Sequence, residues 1–212
     1  MSIVERTISK PVSDEELARK AQAGSRASFE QLVRRYQVSL LRFINERVHC
    51  EADAQDLVQD TFVRAYQRID RYRDAWRFST WLFTIGHRLA ISHLRSRRVR
   101  KSAQAEELGS LPDLRHDTRP GQIMMEDEGR KRFWDAAAAV LSDEQMAAVW
   151  LYYVEGLSAP DVAKVLGRSW VSVKTMLFRA RRRLAPALEY AISDRESASG
   201  LRMIAPMAVT AG

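Results

Sequence analysis

Two groups of side chains in this sequence have the chemistry to hold nucleic acid. In the first, Tyr72, Trp76, Phe78, Trp81 and Phe83 are interleaved with Arg71, Arg73 and Arg77 and lead into a stretch ending Arg95, Ser96, Arg97, Arg98. Aromatic rings beside cations replace the stacking that a base loses on leaving a duplex, worth about 1–3 kcal/mol per base. This group suits single-stranded DNA. The same rings at helical spacing, Trp81, Leu82 and Ile85 among them, also suit a core, and spacing leaves both roles open for Trp76, Phe78 and Trp81. In the second group, Lys174, Thr175, Phe178, Arg179 and Arg182 fall on one side of a helix at roughly 100° per residue, opposite Val173, Leu177, Ala180 and Leu184. One side packs, and the other carries groups that pair with phosphates, reach guanine edges or touch a thymine methyl.

A third group, Asp53, Asp56 and Asp60, has the carboxylates that a magnesium-dependent nuclease would use. Carboxylates spaced along one helix more often form a solvated acidic face. Cys50 is the only cysteine, which excludes an internal disulfide and a four-cysteine zinc site and points to a reducing compartment. His49, His87, His93 and His116 lack metal-ligand spacing with it. No metal and no cofactor are expected.

The elements that must position these groups are helices. Phe29, Leu32, Val33, Tyr36, Leu40, Ile44 and Val48 recur at steps of three and four, and Ala54, Leu57, Val58, Phe62 and Ala65 form the stripe of a following helix. Between Asp74 and Glu106 there is no acidic residue, yet the interval holds Arg77, Arg88, Arg95, Arg97, Arg98, Arg100 and Lys101. The sign then reverses: Glu106, Glu107, Asp113, Asp117, Glu126 and Asp127 stand among Gly109, Pro112, Pro120 and Gly121 without apolar period, the mark of a flexible linker. Periodicity resumes at Phe133, Trp134, Ala137 and Leu141. Capping boxes are expected at Ser142 to Gln145 and at Ser158 to Asp161, with Gly156 and Gly167 as stops. A short capped helix, a glycine turn and a basic helix from Trp170 outline a helix-turn-helix.

No strand alternation and no fixed repeat is present, so the fold class is all-α. The 212 residues suffice for two small domains, and 46% hydrophobic residues can fill their cores. The net charge of +7 fits a phosphate-rich partner. The N-terminal stretch lacks the apolar run of a signal peptide and nothing approaches a membrane span, so a cytoplasmic protein without membrane insertion is expected.

Four blocks stand in order: DEELARKAQAGSRASFEQLVRRYQVSLLRFI, DAQDLVQDTFVRAY, FSTWLFTIGHRLAISHLRSRR and LSDEQMAAVWLYYVEGLSAPDVAKVLGRSWVSVKTMLFRARRRL. Together they resemble the signature blocks of extracytoplasmic-function (ECF) sigma factors of the sigma-70 family. The resemblance implies a sigma-2 domain over 13–101, a linker over 102–127 and a sigma-4 domain over 128–190; the tail over 191–212 falls outside the shared blocks and is expected to be disordered, as termini usually are, or else to modulate polymerase or anti-sigma binding. It implies a non-enzymatic subunit that binds core RNA polymerase and recognises and opens promoter DNA. Asp56, Leu57, Gln59, Asp60 and Phe62 would dock on the beta-prime clamp coiled coil, with the beta subunit as a further partner. Trp76, Phe78, Arg88, Arg95 and Arg98 would act at the minus-10 element. Lys174, Thr175, Phe178 and Arg179 would read the minus-35 element beside Arg182, and an anti-sigma factor would hold the free protein. Arg88, Ser92, Val171 and Met176 depart from the residues common in the family (Asn, Asp, Gly and Arg) and point to promoter preferences of its own. A stand-alone helix-turn-helix regulator is the alternative, and it leaves the DLVQDTF face unexplained.

Overall fold

The computed structural model describes residues 12–108 and 128–193. Most of the linker expected over 102–127 and most of the tail expected over 191–212 lie outside the described residues, as do His116 and the first eleven residues. Every regular element among the described residues is helical: α1 (Asp14–Gln22), α2 (Arg26–Val48), α3 (Glu51–Gln67), a 3-10 turn (Ile69–Arg71), α4 (Phe78–Leu108), α5 (Glu128–Val140), α6 (Asp143–Val149), a π-helical turn (Trp150–Val154), α7 (Ala159–Leu166) and α8 (Trp170–Ser193). None of them is long and apolar enough to cross a membrane.

Helices α1 to α4 enclose the first part of the core. Leu17, Leu32, Leu40, Phe43, Ile44, Phe78, Leu82 and Phe83 are buried, and the spacing of the α2 residues among them is the amphipathic period read from sequence. Ser13 and Ser25 cap α1 and α2 by accepting from the backbone N–H groups of Glu16 and Ser28. Gly86 marks a close approach: a Cβ there would stand 3.0 Å from Leu40 Cδ1 and 3.5 Å from Ile44 Cδ1. The absent side chain lets α4 settle against α2.

The turn before α4 is held from α1. Gln22 Nε2 donates to the carbonyls of Ile69 (2.9 Å) and Tyr72 (2.8 Å), Tyr72 donates its hydroxyl to Trp76 O (2.7 Å), and Glu15 Oε1 accepts from Phe78 N (3.3 Å). Glu15 thereby satisfies an orphan donor at the first turn of α4.

Helices α5 to α8 build the second part around Phe133, Ala137, Met146, Val149, Trp150, Leu151, Val162, Val165, Val173, Leu177 and Leu184. Ser142 and Gln145 form a full capping box at α6. At α7 the box is half made. Ser158 Oγ accepts from Asp161 N at 3.3 Å, but the Asp161 carboxylate takes the Ser158 hydroxyl at 2.6 Å. Gly167 ends α7 in the left-handed region, φ 64°, which only glycine enters without strain. Helix α4 runs on through the residues where the linker is expected to begin, as far as Leu108. The two parts touch: α7 packs on α4, and α6 on α2.

Candidate nucleic-acid interface

The face of α8 away from the core carries Lys174, Thr175, Phe178, Arg179 and Arg182, all exposed, while Val173, Leu177, Ala180 and Leu184 are buried beneath it. The short helix α7, the Gly167 turn and α8 give this face the shape of a helix-turn-helix, with α8 free to enter a major groove. Arg168, in the turn, pairs with Glu144 of α6 on the exposed surface. Thr175 Oγ1 donates to Val171 O at 3.0 Å, so its hydroxyl hydrogen is spent within the helix and its methyl is left to the surface.

The aromatic group divides. Phe78 is fully buried, against Tyr36, Tyr72 and Trp81, and Phe83 packs on Phe43 and Tyr36. Phe78, expected at the minus-10 DNA, is therefore a core residue that supports the turn from below. Trp81 is half-buried against Tyr72 and Phe78. Trp76 alone of the interleaved rings stands out, 44% exposed, with Lys164 Nζ of α7 4.5 Å from its ring centroid. Next to it, Arg77 Nη1 donates to Gly156 O at 3.0 Å. Two side chains of the candidate single-strand surface are thus engaged by the second half of the molecule.

Farther along α4, Arg88, Arg95 and Arg98 are exposed and fall on one side of the helix, with Ser92 at the edge of that side. Arg97 turns the other way. It lies 3.7 Å from Asp53 Oδ2, which also meets His93 Nε2 at 3.2 Å. Sequence spacing had no means of pairing residues forty positions apart. Asp53 is thereby engaged in ion pairs with α4, and no group of three His, Cys, Asp or Glu residues able to hold a metal is found among the described residues.

On α3, Asp56, Gln59 and Asp60 are exposed, as a protein-docking face requires. Leu57 and Phe62 are not: both are buried, at 7% and 8% exposure, because the apolar stripe of α3 faces α2 and α4. They shape this face from beneath and do not form its surface.

Where the halves meet, the electrostatics are those of burial. Glu155, which accepts from Trp150 Nε1 at 3.1 Å, has its carboxyl pushed up by burial, with Ser39 and Trp150 opposing the shift. Burial, with the negative charge of Asp135 on α5, pushes Glu46 of α2 up to about 7. Burial, reinforced by Arg47, Arg88 and Arg168, pulls His87 down to about 3, so its imidazole is neutral at physiological pH.

Comparison with known proteins agrees with this geometry. The family model described as Sigma-70 region 2 matches residues 32–100, and that described as Sigma-70, region 4 matches residues 134–184. The ECF RNA polymerase sigma factor BldN of Streptomyces coelicolor is 33% identical over 174 residues, 82% of this chain and 65% of that protein, so the chain spans about two thirds of its length. The RNA polymerase sigma-H factor of Pseudomonas aeruginosa is 31% identical over 83% of this chain and 94% of its own. Among solved structures, the sigma factor RpoE in complex with the anti-sigma factor NepR from Bartonella quintana aligns with a TM-score of 0.56 at 26% identity, covering 76% of this chain and 96% of that one.

Proposed function

This chain belongs to the extracytoplasmic-function group of the sigma-70 family, and from that premise we propose that it binds core RNA polymerase, recognises minus-35 and minus-10 promoter elements and promotes DNA opening. The observation that carries the reading is the presence, in one chain and in order, of a region 2 and a region 4 whose cationic surfaces are separate. Asp56, Gln59 and Asp60 supply the docking face for the beta-prime clamp, held in shape by Leu57 and Phe62. Trp76 stacks on an unpaired base of the minus-10 strand while Arg88, Arg95 and Arg98 follow its phosphates. Lys174, Thr175, Phe178, Arg179 and Arg182 read the minus-35 duplex.

The chain performs no bond chemistry of its own and works in the cytoplasm, where polymerase and DNA are. The domain limits of 13–101 and 128–190, with the linker between them, belong to the same proposal. Each element alone binds weakly. Polymerase fixes the separation of the two halves, so that two weak contacts act at raised effective concentration. The contacts of Lys164 with Trp76 and of Arg77 with Gly156 support this order of events: the halves part on the polymerase before Trp76 meets a base. An anti-sigma factor that keeps them together would hold the protein inactive.

Run-off transcription with core polymerase on a genomic DNA library tests the proposal. Transcripts starting at a fixed distance from two shared elements are expected. Absence of transcripts and of core association, together with tight duplex binding by the free protein, would leave the helix-turn-helix regulator instead.

A further inference from the structure

Trp170, the first residue of α8, has no part in the reading above. Its indole is 52% exposed, and Val171 and Phe178 beside it are 55% and 56% exposed. Three large apolar side chains within nine residues form a patch of the kind a protein keeps for a ligand. At steps of four residues Trp170, Lys174 and Phe178 make one row along the helix, and Val171 and Thr175 begin the next. With its hydroxyl hydrogen given to Val171 O, Thr175 adds a methyl to the same surface.

The position also fits. Ser169 Oγ accepts from Ser172 N at 3.2 Å and caps α8 immediately before Trp170. In a helix-turn-helix it is the N-terminal residues of the second helix that meet base edges. Lys174 Nζ stands 4.4 Å from the Trp170 ring centroid, so the ring and the ammonium hold each other in place. In the major groove, an apolar surface distinguishes one base-pair feature above all, the 5-methyl group of thymine.

We propose that Trp170 is a specificity-determining residue that reads a thymine methyl in the minus-35 element and positions Lys174 beside it. The inference rests on the minus-35 role of α8. The test uses holoenzyme, formed from core polymerase and the full chain, on a promoter identified by run-off transcription. Each thymine of the minus-35 element is replaced singly by deoxyuridine, which removes only the methyl, and affinity is measured by competition.

The wild type should lose about fourfold at one thymine, the worth of burying one methyl group. Trp170→Ala should bind the thymine and deoxyuridine promoters equally at that position and retain its sensitivity elsewhere; Trp170→Phe should keep part of the discrimination. If Trp170→Ala retains the deoxyuridine penalty at every position, or weakens all promoters alike, the assignment is wrong. Indifference of wild-type holoenzyme to deoxyuridine at every thymine also overturns it, whereas a failure of the minus-35 reading itself looks different, because wild-type holoenzyme would then bind equally well when the whole element is replaced by unrelated base pairs.

Discussion

The two DNA-facing regions differ in readiness. The outer surface of α8 is open from Trp170 to Arg183, and the buried face beneath it is a row of four residues that share no function with the exposed one. The turn before α4 mixes the two duties. Phe78 and Tyr72 are core, Trp76 two residues away is exposed, and Lys164 and Arg77 tie the turn to the other half of the molecule. A duplex can be read by a rigid surface that already exists. Holding a separated strand requires a ring that stays out of the core, and here that ring is exposed but in contact with Lys164 of the other half.

The strongest way to break this contrast is to remove the support of the turn. Phe78→Ala empties a fully buried site and should cost about 3–5 kcal/mol, read by chemical denaturation, whereas no truncation on the exposed face of α8 should approach that. Arg179→Ala should leave stability unchanged and cost about 1–3 kcal/mol of promoter affinity if the side chain reads a guanine. Competition binding to promoters altered at single minus-35 positions shows whether that loss is confined to one base pair.

The seam between the halves should respond to pH in two opposed ways. Glu46 is raised from an ordinary 4.5 to about 7, so the stability it lends is complete below 4.5 and is lost as pH climbs through about 7. His87 is lowered from 6.5 to about 3, so its contribution is complete above 6.5 and is lost as pH falls. Glu46→Gln removes the first effect alone. The variant should therefore gain melting temperature relative to wild type as pH rises from 4.5 to 7, and a pH-independent difference between them would refute this account of Glu46. The smallest effect is expected from Lys164→Ala. Loss of an exposed cation–π contact, about 0.5–1 kcal/mol, should speed amide hydrogen exchange at residues 76–78 by about two- to fivefold and leave α8 unaffected.

The same contrast decides what the sequence discloses. On α8 a single period separates core from surface, and Lys174, Thr175, Phe178, Arg179 and Arg182 emerge on the exposed side as the wheel has them. Where one short stretch serves both duties, spacing fails: Phe78 reads equally well as a stacking ring and as core, and only the packing of Tyr36 and Tyr72 against it decides. Leu57 and Phe62 lie on the apolar stripe of α3, so the burial that removes them from the docking surface follows from the period, although the resemblance places them in that surface. Local signals such as the Ser142 cap and the Gly167 stop are legible because their chemistry involves neighbours. The π-helical turn at Trp150–Val154 and the pairing of Asp53 with His93 and Arg97 depend on how distant helices meet.

That last pairing limits how many condensed counterions the proposed minus-10 contact can release. A basic helix invites a count of every arginine as a phosphate ligand, and each phosphate neutralised on a single strand contributes about −0.7 to the slope of log affinity against log salt. Arg97 faces α3, 3.7 Å from Asp53, leaving Arg88, Arg95 and Arg98 on the exposed sector of α4. Strand binding by this sector should therefore show a slope of about −2, and Asp53→Asn should leave it unchanged, because Arg97 faces α3 and not the strand side of α4.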